Sequence, residues 1–278
     1  MIRELILCAD DYAQNETISE GILLLAQKKR INAISCLVNL PDWKNTHHEL
    51  KQVNKDTYLG LHLNLSLGQA LSTKWRKKYS PHFNSHSLTI KQSYLGFLNK
   101  ECVEAEICAQ LDAFSNSTGR LPDFIDGHQH IHQLPIIRDA LISIYKQKKL
   151  TAFCRNTSSH WRDFLLCANF PKAQAISLLG GFSFKKLLRQ QLISANSSFA
   201  GIYNFARAKN YRYYFKKFLY QSDNGGLIMC HPGLHSNDHR DALHPYRHYE
   251  LNYLMSSEFL SDLDDAQCRL QLKPSFSS

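Results

Sequence analysis

The chain has 278 residues, of which 44% are hydrophobic and 21% charged, with a formal net charge of +9. This composition supplies a full core and excludes a disordered or fibrous chain. The basic excess leaves room for an anionic partner: a nucleic acid, a lipid surface or an acidic substrate.

Strand-like and helix-like segments alternate along the chain. LILCA (5–9) is a short apolar run. Acids interrupt it too early for a signal-peptide core or a membrane span, so it reads as a first buried strand. In NETISEGILLLAQKKR the spacing of Ile18, Ile22 and Leu25 predicts a helix, with Thr17 and Glu20 placed as a capping box. AISCLV (33–38) and YLGLHLNL (58–65) read as strands, the second with leucines on one face and His62 on the other. Val103, Ile107, Leu111 and Phe114 predict a helix that stops near Gly119. FID (124–126) is a strand, and LPIIRDALISIYKQ a helix with Pro135 in its first turn. TAFCRN (151–156) and GLIMCHPG (226–233) follow as strands. One helix is expected over RHYELNYLMSSEFLSDL, then a strand at CRLQL.

This alternation predicts an α/β fold with a parallel sheet. A TIM-barrel-related (β/α) barrel, distorted or seven-stranded, typically takes about 250 residues and would use nearly the whole chain. Residues 1–278 are therefore expected as one domain, with an excursion near 157–205 that caps the site. The eight cysteines contain no CxxC pair, which points to reduced thiols and a cytoplasmic location.

Unusual polar residues collect at the carboxyl ends of the predicted strands, where barrel enzymes build their sites. Asp10 and Asp11 follow the first strand, and His62 lies on the third. Asp126, His128, His130 and His132 follow FID; Arg155 follows AFC; His231 follows LIMC. Each has an ordinary structural account when taken singly. The aspartates could cap a helix, His62 could be a bonded core residue and His231 could sit in a turn. Together they suit a divalent ion. One Asp and two His leave coordination positions open for water and substrate, a second carboxylate can be a base, and a further histidine can be an acid. Asp10, Asp11, His62, His128 and His231 supply that set.

CADDYAQNETISEGI, GLHLNL, DFIDGHQHIHQLP and MCHPG, in that order, resemble the YdjC-like carbohydrate deacetylases, a family with chitooligosaccharide deacetylases and hopanoid-biosynthesis-associated members. FAGIYNF and DALHPYRHYEL are similar to further segments of that family. The resemblance implies hydrolytic removal of acetyl groups from N-acetylated sugars with one divalent metal, Mg2+ or Zn2+. It implies Asp11, His62 and His128 as metal ligands, Asp10 as base and His231 as acid. His130 and His132 would line or support the site, with Asp126 orienting one of their imidazoles and Arg155 meeting the oxyanion. Many members carry Asn before ADD and Phe-Gly after it. Cys8, Tyr12 and Ala13 stand there in this chain, so the glycine's access to positive φ is missing from that turn.

The rival readings are a metal phosphoesterase on a similar barrel and a nucleic-acid or membrane-surface binding protein with a vestigial site. RAKNYRYYFKK (207–217) offers that binding protein cations and stacking faces. The expected partner is an N-acetylated sugar or oligosaccharide, with no nucleic acid. The amphipathic SLLGGFSFKKLLRQQL extends this to a lipid-linked sugar met at a membrane surface. The expected assembly is a homo-oligomer, a dimer.

Overall fold

Side-chain alternation sorts the strands' apolar residues into two populations. Leu5, Leu7, Ile34, Leu61, Ile125 and Ile228 join the helices in a large outer core. Ile6, Cys8, Ala33, Tyr58, Phe124, Phe153, Phe199, Leu227 and Met229 form a separate inner cluster fed by seven strands. Two cores on the two faces of one curved sheet are what a barrel requires.

The computed structural model describes residues 2–158 and 177–270. Its strands are β1 (Arg3–Tyr12), β2 (Ala33–Cys36), β3 (Tyr58–Leu63), β4 (Phe124–Gly127), β5 (Phe153–Cys154), β6 (Phe199–Ala200), β7 (Gly226–Cys230) and β8 (Cys268–Leu270). They run parallel in the order β5-β4-β3-β2-β1-β7-β6, and β8 pairs with the first residues of β1. At the seam, Cys154 bridges Ala195, and its N–H donates to Ser194 O at 2.8 Å. One residue layer higher, the Asn196 amide accepts from Asn156 N at 2.8 Å and donates to Asn156 O at 2.9 Å. A side chain thus continues the ladder where the strands are too short to do so. Gly60 serves the interior, because a Cβ there would lie 2.3 Å from the Phe124 ring.

The helices are α1 (Glu16–Gln27), α2 (Trp43–Thr46), α3 (Thr73–Lys78), α4 (His86–Tyr94), α5 (Lys100–Thr118), α6 (Ile137–Lys148), α7 (Phe182–Gln190), α8 (Tyr211–Gln221), α9 (Arg247–Met255) and α10 (Ser257–Asp265). Three boundaries depart from expectation. Helix α1 is capped by Asn15, whose Oδ1 accepts from Ile18 N at 3.0 Å, not by a Thr17–Glu20 box. Helix α6 begins at Ile137, past Pro135, because Ile136 takes a left-handed φ of 64°. The single C-terminal helix is two, parted at Ser256, which is extended and caps α10 by accepting from Phe259 N. Of the 157–205 stretch, residues 159–176 lie outside the described residues. The described remainder holds α7 and β6, and β6 is paired to β7 in the sheet. Among the described residues no helix is long and apolar enough to cross a membrane, and every cysteine is free.

Candidate functional site

The inward register that builds the inner core continues into polar side chains. Ile6 and Cys8 lead to Asp10, Ala33 to Ser35, Tyr58 and Gly60 to His62, Phe124 to Asp126, Phe153 to Arg155, and Met229 to His231. Two-residue periodicity therefore stacks a charged layer on an apolar one at the carboxyl ends of the strands.

Asp11 should point outward by the same rule. A register shift between Ala9 and Tyr12, with Asp11 at φ 71°, turns it back, so that both aspartates face the interior. Ala13 follows at φ 68°, adopting without glycine the conformation that the sequence led us to think unavailable. The three histidines of DGHQHIH do not share a strand face as alternate residues would. They lie on a tight 3-10 turn in which Gln129 and His130 are left-handed. Gly127 leaves room for the fold-back, since a Cβ there would sit 2.9 Å from His132 N and Nδ1.

Asp11, His62 and His128 each offer one donor atom within 4.8 Å of the others. Asp11 Oδ1 lies 2.9 Å from His128 Nδ1 and 3.4 Å from His62 Nε2. The other ring nitrogen of His62 is 2.7 Å from Asp126 Oδ1, and Ser35 Oγ donates to that same oxygen at 2.5 Å. Asp126 thus orients His62, where the sequence pointed to His130 or His132. Burial works against a charged His62, but Asp126 and the hydrogen bond to Asp11 outweigh it and raise its pKa to about 10. This is a buried pocket of negative potential with an Asp-His-His donor set, and it fits a divalent cation in the place of that proton.

Asp10 stands beside this group but is held elsewhere. Arg155 donates Nη1 to its Oδ2 and Nη2 to its Oδ1, both at 2.6 Å, and Arg155 Nη2 also lies 2.6 Å from Asp126 Oδ2. Burial alone would raise the Asp10 pKa; the guanidinium overcomes it and holds the carboxyl below the usual range. On Asp11 burial is likewise outweighed, chiefly by Arg247, whose Nη2 donates to Oδ2 at 2.9 Å. Arg247 is fixed in turn by Asp241, at 2.6 Å from Nε. Cys8, Asp10 and Asp126 form a second group of donors. Arg155 bonds both of its carboxylates, and burial pushes the Cys8 thiol up, so this group is already neutralised.

A cavity of about 430 Å³ opens over these groups and is lined by Asp10, Asp11, His62, His128, His130 and His231 among others. Arg155 and His132, expected at the substrate, do not line it. Both are 0% exposed; Arg155 is spent on the two carboxylates, and His132 Nε2 bonds Arg155 O at 2.9 Å. Burial lowers the pKa of His132 and of His231 to about 4 each, and holds His130 well down. The backbone N–H of His231 donates to Glu250 at 2.6 Å, and Glu250 also accepts from Tyr203 OH at 2.6 Å. Burial raises the Glu250 pKa to about 7. Ser35, Asp241, Arg247 and Glu250 escaped the sequence reading. Ser35 could have been found from the inward register of Ala33, and Arg247 and Glu250 lie inside the DALHPYRHYEL segment.

The structure is a parallel α/β barrel whose strand ends carry an Asp-His-His donor set of the kind that suits a divalent cation and, beside it, a separately paired aspartate. The YdjC-like protein family matches residues 4–265, and the chain belongs to it. A carbohydrate deacetylase of Danio rerio is 28% identical over 175 residues, 58% of this chain and 55% of that protein. A chitooligosaccharide deacetylase of Yersinia enterocolitica is 25% identical over 150 residues, 54% of this chain and 58% of that protein. The chain thus spans a little over half the length of these relatives. An Enterococcus faecalis protein named for cellobiose-phosphate cleavage shares the fold, with a TM-score of 0.73 and 18% identity over 98% of this chain and 97% of that one.

Proposed function

We propose that this protein is a metal-dependent N-deacetylase of carbohydrates that hydrolyses an acetamido group to acetate and an amino sugar. One observation carries the reading: donor atoms of Asp11, His62 and His128 lie within 4.8 Å of one another while Asp10, held ionised by Arg155, shares their cavity without joining them. A divalent ion held by those three residues, Mg2+ or Zn2+, would polarise the acetyl oxygen and acidify water. The chain's residues do the rest. Asp10, ionised at neutral pH, takes the proton of the attacking water at a carboxylate oxygen. Arg155 keeps that oxygen oriented and stabilises neighbouring Asp126, which fixes the His62 ring. His231 is neutral at rest, so it acts as a relay, passing to the departing nitrogen the proton that Asp10 has taken. His130 closes the cavity wall, and His132 supports the Arg155 backbone.

A two-metal phosphoesterase would need a second cation beside the first. The Arg155 guanidinium fills that place between Asp10 and Asp126. The free described cysteines support action in the cytoplasm. On α8, exposed Tyr213 and Tyr220 stand with Lys217 stacked on Tyr213 at 4.5 Å, which supports an approach to lipid-linked sugars at an anionic surface.

The test is acetate release from a panel of N-acetylated sugars by metal-stripped and metal-restored protein, with His128→Ala beside it. Metal-dependent release that is lost in His128→Ala is expected. Release that survives chelation and the substitution would overturn the reading.

A further inference from the structure

The two oxygens of Asp11 have different neighbours. Oδ1 lies 2.9 Å from His128 Nδ1 and 3.4 Å from His62 Nε2, the ring nitrogens that would share an ion with it. Oδ2 accepts from Arg247 Nη2 at 2.9 Å. The guanidinium is itself held by a second carboxylate: Asp241 Oδ2 accepts from Nε at 2.6 Å and Oδ1 from Nη2 at 3.1 Å. Asp241 is fixed in turn, because its Oδ1 accepts from Leu243 N at 3.0 Å and its backbone N–H donates to Asp238 O at 3.0 Å. Asp11, Arg247 and Asp241 are all buried, and all three line the cavity. In a buried charge cluster desolvation offsets much of the attraction, so what these bonds chiefly supply is orientation.

We propose that Arg247, locked by Asp241, is a positioning residue that occupies Asp11 Oδ2 and leaves only Oδ1 to the cation. This rests on the deacetylase reading and its Asp-His-His donor set, and it adds how many oxygens Asp11 gives. A carboxylate can bind a cation through one oxygen or through both. Here the two-oxygen mode would break a buried, charge-assisted hydrogen bond, which is among the stronger ones a protein makes. One-oxygen binding gives three protein donor atoms in all and leaves positions for water and the acetyl oxygen, of which a two-oxygen grip would take one. The carboxylate comes from the irregular end of β1, with Asp11 at φ 71°, and the guanidinium from the first residue of α9. The lock therefore also ties the C-terminal part of the chain to the site.

The experiment loads wild type, His128→Ala and the double variant Asp241→Asn/Arg247→Met with Co2+ in place of the native ion. The visible absorption of Co2+ weakens as its coordination number rises, so absorption per bound ion reports how many donors surround it. The double change removes one cation and one anion together, and so keeps the net charge. Each protein is measured at saturation, so a change of affinity does not enter. Wild type is expected to bind Co2+ with strong bands, and His128→Ala to lose that binding. The double variant should bind Co2+ with bands severalfold weaker per ion, as Oδ2 joins Oδ1. Arg247→Met alone should show the same weakening, which keeps the test open if the double variant does not fold. A role confined to holding the fold would lower the Tm and leave the bands alone. Unchanged bands per ion in a folded variant overturn the role of Arg247 and leave the cation site and the deacetylase standing. A wild type that binds no Co2+, or a His128→Ala that binds it equally, overturns the cation site and this inference with it.

Discussion

Neighbouring residues on a strand point to opposite faces, so Asp10 and Asp11 reach one cavity only because the bulge turns Asp11 back. The aspartates and histidines themselves were legible in the sequence, since unusual residue types at strand ends announce themselves. Their partners were not, because a buried Arg or Glu looks like a surface one until its neighbours are known. Arg155 shows the difference. Its residue type at a strand end flagged it for substrate, yet its fork is spent on Asp10 and Asp126. Arg155→Met should remove about 3–5 kcal/mol of stability, the typical result of stranding buried charges. Urea unfolding at neutral pH measures it, and a loss under 1 kcal/mol would contradict the pairing. Glu250 gives a test in pH. Its folded pKa of about 7 lies above the ordinary 4.5, so the folded state holds a proton that the unfolded state has lost. Stability from this group is full below pH 4.5 and falls as pH rises to 7, by about 3 kcal/mol in all. Glu250→Gln carries no such proton. Its Tm relative to wild type should therefore improve between pH 5 and pH 8, and a difference that stays constant would remove the titration.

At the scale of elements, periodicity gave the long helices, while termini were decided by single side chains. The Val103–Phe114 spacing located α5, and Gly119 closes it at φ 72°. Helix α1 was also found, but its cap was assigned two residues too late. Thr17 and Glu20 have the right spacing for a box, yet Asn15 Oδ1 is what meets the free N–H of Ile18. Asn15→Ala should accordingly cost about 1 kcal/mol and Glu20→Ala almost nothing. Equal losses in chemical denaturation would restore the box. Strands β5 and β6 are harder to read for a physical reason. Each has two residues, too few for a period to show, and Asn196 supplies by side chain part of the ladder that longer strands would have made by backbone. For that reason the 157–205 stretch read as an excursion although it delivers a strand.

Across the whole molecule, the proposed ligands come from the ends of β1, β3 and β4, and Arg247 from α9 clamps one of them from the far end of the chain. None of these groups is near another in sequence, and no unfolded chain holds them together. An ion that binds them therefore binds the folded state alone and stabilises it by mass action, by about 2.7 kcal/mol at a hundredfold excess over Kd. For a chain of this size that corresponds to a rise in Tm of about 5 °C. The rise should appear as a shift of one cooperative transition, since the inner core beneath the site is fed by seven strands and cannot melt strand by strand. His128→Ala removes one ligand and leaves that core intact, so it should unfold near the stripped wild-type Tm while losing most of the ion's effect. Calorimetry of both proteins, stripped and with added Zn2+ or Mg2+, makes the comparison. A shift of equal size in His128→Ala would place the ion somewhere other than between Asp11, His62 and His128, and the mechanism proposed above would lose its metal.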